Sequence, residues 1–214
     1  MLGAGAPDAK TAGSTVFDNE EVRAWTLPGA DADVLILSLK SKLHLIGAPM
    51  IAGLLQAVEL AEAQYKGLVI WSPDDPFSAG ANLEAMLPQF MKGGAKAIEP
   101  EIKKLQDALL RMRYAAVPTV AAVRGMALGG GCEIALAASR RVAAMESYIG
   151  LVEVGVGLLP GGGGLTYIAR RAAEMAAAGN NATASGDGID GCVPACDGTL
   201  RASAATGSVA PFAA

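Results

Sequence analysis

Apolar residues recur along this chain with two alternating periods. In residues 22–27 and 34–39 they gather into short runs rich in β-branched and aromatic types. The turn-forming cluster Pro28-Gly29-Ala30-Asp31-Ala32-Asp33 separates the runs, which predicts an antiparallel strand pair. From 49 to 65 the spacing changes to three and four residues, placing Met50, Leu54, Ala57, Val58 and Ala61 on one face of a predicted helix. A buried strand follows at 68–71, then a helix at 82–91 and an amphipathic helix at 100–113. The last carries Ile102, Leu105, Leu109 and Met112 on its inner face, with Pro100 in its first turn. Residues 119–123 and 141–144 read as strands around a short buried helix at 132–138, and 165–178 as a final helix. So regular an alternation with short connections predicts an α/β fold of stacked β-β-α units rather than two segregated layers.

The pattern also sets expected limits. Residues 1–17, rich in Gly, Ala, Pro and Ser, read as a linker or cut end without the basic-then-apolar pattern of a signal peptide. Residues 18–178 form one domain. Residues 179–214 lack periodicity and large apolar side chains, so they read as a low-complexity, disordered tail. The most apolar run, 45–55, contains Pro49, Gly47 and Gly53 and falls short of the ~18–20 residues of a membrane span. Neither a membrane nor a nucleic acid is expected as a partner. The net charge is −4, and the one basic cluster, Lys103, Lys104, Arg111 and Arg113, reads as a solvated helix face, with a phosphate-bearing ligand as the sharper alternative. Three cysteines, Cys132, Cys192 and Cys196, make neither a disulfide framework nor a zinc site, so no metal is expected and a reducing cytoplasm fits. The acceptor pattern at Asn181 would stay unused there.

Chemistry concentrates in three segments. Gly129-Gly130-Gly131-Cys132-Glu133 couples a strand-to-helix glycine turn, able to present bare N–H groups, to a carboxylate in the first turn of a buried helix. Glu153, twenty residues further on, lies between Val152 and Val154, where burial raises a carboxyl pKa and suits it to proton transfer. The loop Pro76-Phe77-Ser78-Ala79-Gly80-Ala81-Asn82 again joins a strand to a helix, and donors from two such loops converging on one oxygen make an oxyanion hole. Taken singly, each has a plainer reading: an ordinary loop, a helix-dipole charge at Glu133 or a backbone-satisfied carboxylate at Glu153. The run Gly161-Gly162-Gly163-Gly164 lacks the Lys-Ser/Thr of a nucleotide phosphate loop and reads as turn or packing geometry. His44 is the only histidine and no G-x-S-x-G elbow occurs, which argues against a serine hydrolase.

Phe77 to Met86, Ala127 to Ala135, and Glu153 ahead of Leu159 to Gly164 together resemble the crotonase superfamily, specifically enoyl-CoA hydratases, over residues 18–175. The wording is most similar to the hydratase part of bacterial fatty-acid oxidation proteins that also carry a 3-hydroxyacyl-CoA dehydrogenase part, absent from this sequence. The resemblance implies a crotonase-like spiral of β-β-α units, lacking the C-terminal helices, that assembles as homotrimers or hexamers. It implies no separate cofactor, because coenzyme A is part of the acyl-CoA substrate. Ala81 and Gly130 take the family's oxyanion-hole positions, Glu133 and Glu153 its catalytic carboxylate pair. Lys42, Ser78, Ala79, Gly80, Ala81, Asn82 and Leu83 take its coenzyme A contacts. Asn82 stands where aspartate is common. Two carboxylates favour hydration of trans-2-enoyl-CoA to 3-hydroxyacyl-CoA in fatty-acid β-oxidation. The alternatives are enoyl-CoA isomerisation, for which one carboxylate suffices, and an inactive truncated fragment of a bifunctional protein, serving at most as a coenzyme A-binding or assembly module.

Overall fold

The computed structural model describes residues 12–29, 32–177, 193–194 and 199–201. Its first sheet has six strands in the order β1 (Ser14–Asp18), β2 (Val22–Thr26), β3 (Val34–Leu39), β4 (Gly67–Trp71), β5 (Thr119–Val123) and β7 (Arg140–Ala143). The predicted hairpin is present, with β2 and β3 antiparallel, and from β3 onward each neighbour is parallel. Parallel neighbours require crossovers, and these are supplied by α1 (Ala48–Gln64), by the pair α2 (Leu83–Gly93) and α3 (Ala95–Arg113), and by α4 (Gly130–Ala137).

A second layer explains why the units spiral. Between β3 and α1, Ile46 bridges in parallel to Ala81, which lies between β4 and α2. Ser78 of that same segment bridges in parallel to Ala127 in β6 (Met126–Leu128), and β6 pairs in parallel with β8 (Tyr148–Gly150). Each successive unit thus adds one strand to the large sheet and one short strand or bridge to the second layer, then a helix; α5 (Gly164–Ala177) follows β8. The Ser78–Ala81 loop runs through this second layer, and Glu133 and Glu153 follow its strands β6 and β8.

Apolar burial holds the layers together. Leu35, Leu37, Leu54, Ile70 and Ala121 are fully buried, and each large side chain of this kind contributes ~1.5–3 kcal/mol. Trp25 is buried beside Trp71, ring centroids 6.2 Å apart, and its indole N–H donates to Ser38 Oγ at 2.8 Å, which removes the penalty of an unsatisfied buried donor. Every residue of α4 is buried, so its sequence carries no amphipathic stripe. Helix α1 has no capping side chain of its own; Glu21 Oε2, from the β1–β2 turn, accepts from the amides of Gly47 and Met50 at 3.1 and 3.0 Å.

Several boundaries differ from the sequence expectation. The sheet begins at Ser14, inside the segment 1–17 assigned to a linker, because Ser14–Asp18 pairs antiparallel with β2. The 100–113 helix starts at Ala95, so Pro100 lies in its interior. Gly94, at φ 62°, ends α2 and starts α3, and Pro100 removes only the bond that its N–H would make one turn back. Strands β6 and β8 went unpredicted because three residues are too few to display a period of two. Within 179–214, Thr199–Arg201 (β10) pairs antiparallel with β8 and with Val193–Pro194 (β9), an addition that needs only main-chain hydrogen bonds. The remaining residues assigned to the tail, Asn181, Cys192 and Cys196 among them, and residues 1–11 of the linker lie outside the described residues. Among the described residues no helix is long and apolar enough to cross a membrane.

Candidate active site

Two loops come together because the Ser78–Ala81 segment runs between Ile46 and β6. Ile46 N–H donates to Gly80 O at 2.9 Å and Asn82 N–H to Ile46 O at 3.1 Å, while Ser78 N–H donates to Met126 O at 3.1 Å and Ser78 O accepts from Leu128 N–H at 2.9 Å. Gly80 adopts φ +94°, and a Cβ there would stand 2.8 Å from Leu128 O and 3.5 Å from Gly130 N, so glycine is required on both steric and conformational grounds. A Cβ on Gly130 would lie 3.8 Å from Ala81 N. Among the described residues, neither the Ala81 nor the Gly130 amide donates to a protein acceptor. Two adjacent free N–H groups, one at the first position of α4, can bind an oxygen atom that gains negative charge.

The two carboxylates stand close to the same glycine turn, Glu133 in the chain and Glu153 in space. Glu133, in the first turn of α4, is 3% exposed, and its Oε1 accepts from Gly162 N–H at 2.7 Å and Gly164 N–H at 2.9 Å. Glu153 opens the one-turn 3-10 helix Glu153–Val156. It is brought back to the glycine turn because Gly129 N–H donates to Gly150 O at 2.9 Å, tying the turn to the end of β8. A Cβ on Gly129 would lie 3.2 Å from Glu153 Oε1. Among the described residues, Glu153 Oε2 is buried without a hydrogen-bond partner.

Burial raises the pKa of both groups above the ordinary carboxylate value. For Glu133 the Gly164 and Gly162 amides oppose that rise and the charge of Glu153 adds to it; for Glu153 its own amide opposes it. A proton is therefore held more readily here than on a surface carboxylate, as proton transfer near neutral pH requires.

The other expected residues divide into two groups. Lys42 is exposed on the turn Lys42–His44, Leu83 is exposed at the start of α2, and Ala79 and Asn82 are half-buried. Asn82 caps α2, its Oδ1 accepting from Ala85 N–H at 3.2 Å. Ser78, expected among the coenzyme A contacts, is instead completely buried. Its hydroxyl donates to His44 O at 2.7 Å and accepts from Gly80 N–H at 3.1 Å, and its backbone N–H and C=O are both engaged with β6. The basic cluster is dispersed into local pairs, Lys103 with Asp107, Lys104 with Glu101 and Arg111 with Glu62, while Arg113 stacks on the Tyr167 ring. The two lysines fit the solvated-face reading, whereas Arg111 and Arg113 are half-buried; these side chains do not converge on one point.

The amides of Gly162 and Gly164 escaped the sequence analysis. The run they belong to was visible, but its reading as turn geometry overlooked its partner, a carboxylate about thirty residues away. His44, in sequence the one possible histidine base, has a structural place: its carbonyl anchors Ser78 and its Nδ1 lies 2.6 Å from Pro76 O.

Comparison with known proteins agrees with this geometry. A probable 3-hydroxyacyl-CoA dehydrogenase of Bacillus subtilis is 43% identical over 132 residues, which make up 62% of this chain and 17% of that protein. A fatty acid oxidation complex subunit alpha of Colwellia psychrerythraea is 39% identical over 108 residues, 50% of this chain and 15% of that protein. The crystal structure of an enoyl-CoA hydratase from Polaromonas sp. JS666 superposes with a TM-score of 0.64 at 28% identity, covering 70% of this chain and 58% of that one. The chain thus spans less than a fifth of these sequence relatives and under two thirds of the structural one. A family model described as enoyl-CoA hydratase/isomerase matches residues 34–188. With that match over most of its length, and the spiral of parallel strands beneath it, the chain belongs to the enoyl-CoA hydratase/isomerase family of the crotonase superfamily.

Proposed function

We propose that this site hydrates a trans-2-enoyl thioester of coenzyme A. The observation that carries the reading is the pair of carboxylates at the glycine turn, buried Glu133 and half-buried Glu153, beside two free amides. The thioester oxygen accepts from Ala81 and Gly130 N–H, which draws electron density from the C2=C3 bond. The carboxylates orient one water, whose oxygen bonds to C3 while a proton is delivered to C2. The π electrons of the double bond pass through the enolate to the new C2–H bond, so one water is added and a 3-hydroxyacyl thioester results. Lys42, Ala79, Asn82 and Leu83 form the surface along which coenzyme A lies, with buried Ser78 and Gly80 supporting that loop from inside. Assembly as a homotrimer or hexamer, a cytoplasmic location and a part in β-oxidation complete the proposal.

The test is loss of the conjugated enoyl absorbance of crotonyl-CoA. Wild-type turnover that falls at least ~100-fold in both Glu133→Gln and Glu153→Gln, the scale of one general acid-base group, supports hydration. Turnover unaffected by either change overturns it.

One observation favours a second reading, isomerisation of a 3-enoyl to a 2-enoyl thioester. Glu133 is clamped by two amides, whereas Glu153 Oε2 has no partner among the described residues and can move a proton between C4 and C2 by itself. Retention of 3-enoyl isomerisation by Glu133→Gln, with its loss in Glu153→Gln, distinguishes this activity from hydration.

A further inference from the structure

We infer that Ser78 is a positioning residue that sets the spacing of the Ala81 and Gly130 amides, rather than a contact for coenzyme A; this rests on the hydratase reading of those amides. Ser78 is 0% exposed, and its N–H, C=O and hydroxyl all have protein partners, so it has no polar atom left for a ligand. Those partners belong to both amide-bearing segments. On one side its hydroxyl accepts from Gly80 N–H, the residue before Ala81, which adopts φ +94°. On the other its backbone pairs with Met126 and Leu128 of β6, the strand that delivers Gly129 and Gly130.

The same side chain also sets the depth of the helix. A Cβ on Gly131 would lie 2.7 Å from Ser78 Cβ, so the first turn of α4 rests directly against it. The hydroxyl proton goes to His44 O, and His44 is itself held through Nδ1 at Pro76 O. A continuous chain therefore runs from Pro76 through His44, Ser78 and Gly80 to Ala81. Removing the hydroxyl leaves the His44 carbonyl and the Gly80 amide buried without partners and frees the loop to rotate. A donor moved by even ~1 Å lowers turnover on the order of 100-fold.

The experiment reads the polarisation of a bound carbonyl, which a merely structural role does not control. Butyryl-CoA labelled with 13C at the thioester carbon cannot be hydrated, and its C=O stretch reports the two donors directly. In the wild type the stretch moves to lower frequency on binding. In Ser78→Ala that shift falls by at least half, and kcat on crotonyl-CoA falls ~10- to 100-fold while KM changes less than ~3-fold. Ser78→Cys, a similar shape with a weaker donor and acceptor, gives intermediate values and carries the test if the alanine variant does not fold. Ser38→Ala serves as the control, because it removes a buried hydroxyl on β3 that accepts from the Trp25 indole N–H at 2.8 Å and lies in neither amide segment; it lowers Tm but keeps the shift. A folded Ser78→Ala with the full shift and kcat overturns the inference alone. Absence of the shift in the wild type overturns both the inference and the hydratase reading.

Discussion

The amide of Gly162 donates to Glu133 Oε1 at 2.7 Å, and a Cβ on Gly162 would lie 2.5 Å from the other carboxylate oxygen. The glycine thus acts as both donor and spacer, since any side chain at 162 would occupy the volume of the group that its own backbone holds. The same Cβ would meet Leu109 Cδ1 at 2.9 Å, which leaves the carboxylate little room to retreat.

Gly162→Ala is therefore expected to reduce crotonyl-CoA hydration at least ~10-fold through displacement of Glu133, and to lower Tm as well, since overpacking a filled interior costs about 1–3 kcal/mol. Steady-state kinetics beside a thermal melt check this; an alanine variant with wild-type kcat would show that Glu133 is not held for catalysis.

Gly130 offers a way to remove one donor and keep its helix. It occupies the first position of α4, where proline is accommodated and where no intrahelical bond uses the amide. Gly130→Ala retains the N–H and asks only the flexible end of Ile46, 2.8 Å from the added Cβ, to move. Gly130→Pro is expected to lose ~100- to 1,000-fold in kcat, the scale of one oxyanion donor, and Gly130→Ala much less. Equal losses in the two variants would place the effect in packing instead of in the hydrogen bond.

The raised pKa of Glu133 fixes a sign for stability against pH. The folded state binds this proton more tightly than the unfolded chain does. Its stabilising effect is complete below the ordinary carboxylate value and disappears as pH rises through the higher folded value. Glutamine cannot ionise, so the Tm of Glu133→Gln minus that of the wild type should increase from pH 4 to pH 7. Scanning calorimetry at a series of pH values measures it; a difference that stays level would show that burial does not strain this carboxylate.

Glu62 has the opposite sign. The Arg111 guanidinium, bonded to it from α3, and the Ala116 amide at 2.8 Å hold its pKa down to about 2. Stability from the pair is present above the ordinary carboxylate value and is lost as pH falls toward 2. Carboxyl 13C NMR should find the Glu62 midpoint near 2 in the wild type and raised toward the ordinary value in Arg111→Met, where the Ala116 amide alone still lowers it. An unchanged midpoint in the variant would remove Arg111 as the cause.

How far the fold and site were readable follows from the range of the interactions involved. The β2–β3 hairpin was legible because a polar turn separates two apolar runs and the pairing is local. Helix α1 was legible because one face meets the sheet and the other meets solvent. Strands β6 and β8 were not, since three-residue strands are defined by non-local partners, each other and, for β6, Ser78. The candidate residues Glu133 and Glu153 stood out because a charge in apolar sequence is costly to bury without a purpose. The burial of Ser78 was not legible for the converse reason, as a small polar residue in a glycine loop reads the same whether its hydroxyl faces a ligand or the interior.

The sequence by itself determined the alternation of strands and helices, the glycines that permit close approach and the carboxylates available for proton transfer, because these depend on local conformation and side-chain chemistry. Only the tertiary structure decided which amides stay free, which glycines hold Glu133 and where Ser78 points. Hydrogen-bond partners about 30 residues apart, such as Glu133 with Gly162 and Ser78 with His44, are set by the order in which parallel strands stack, and no local pattern encodes that order.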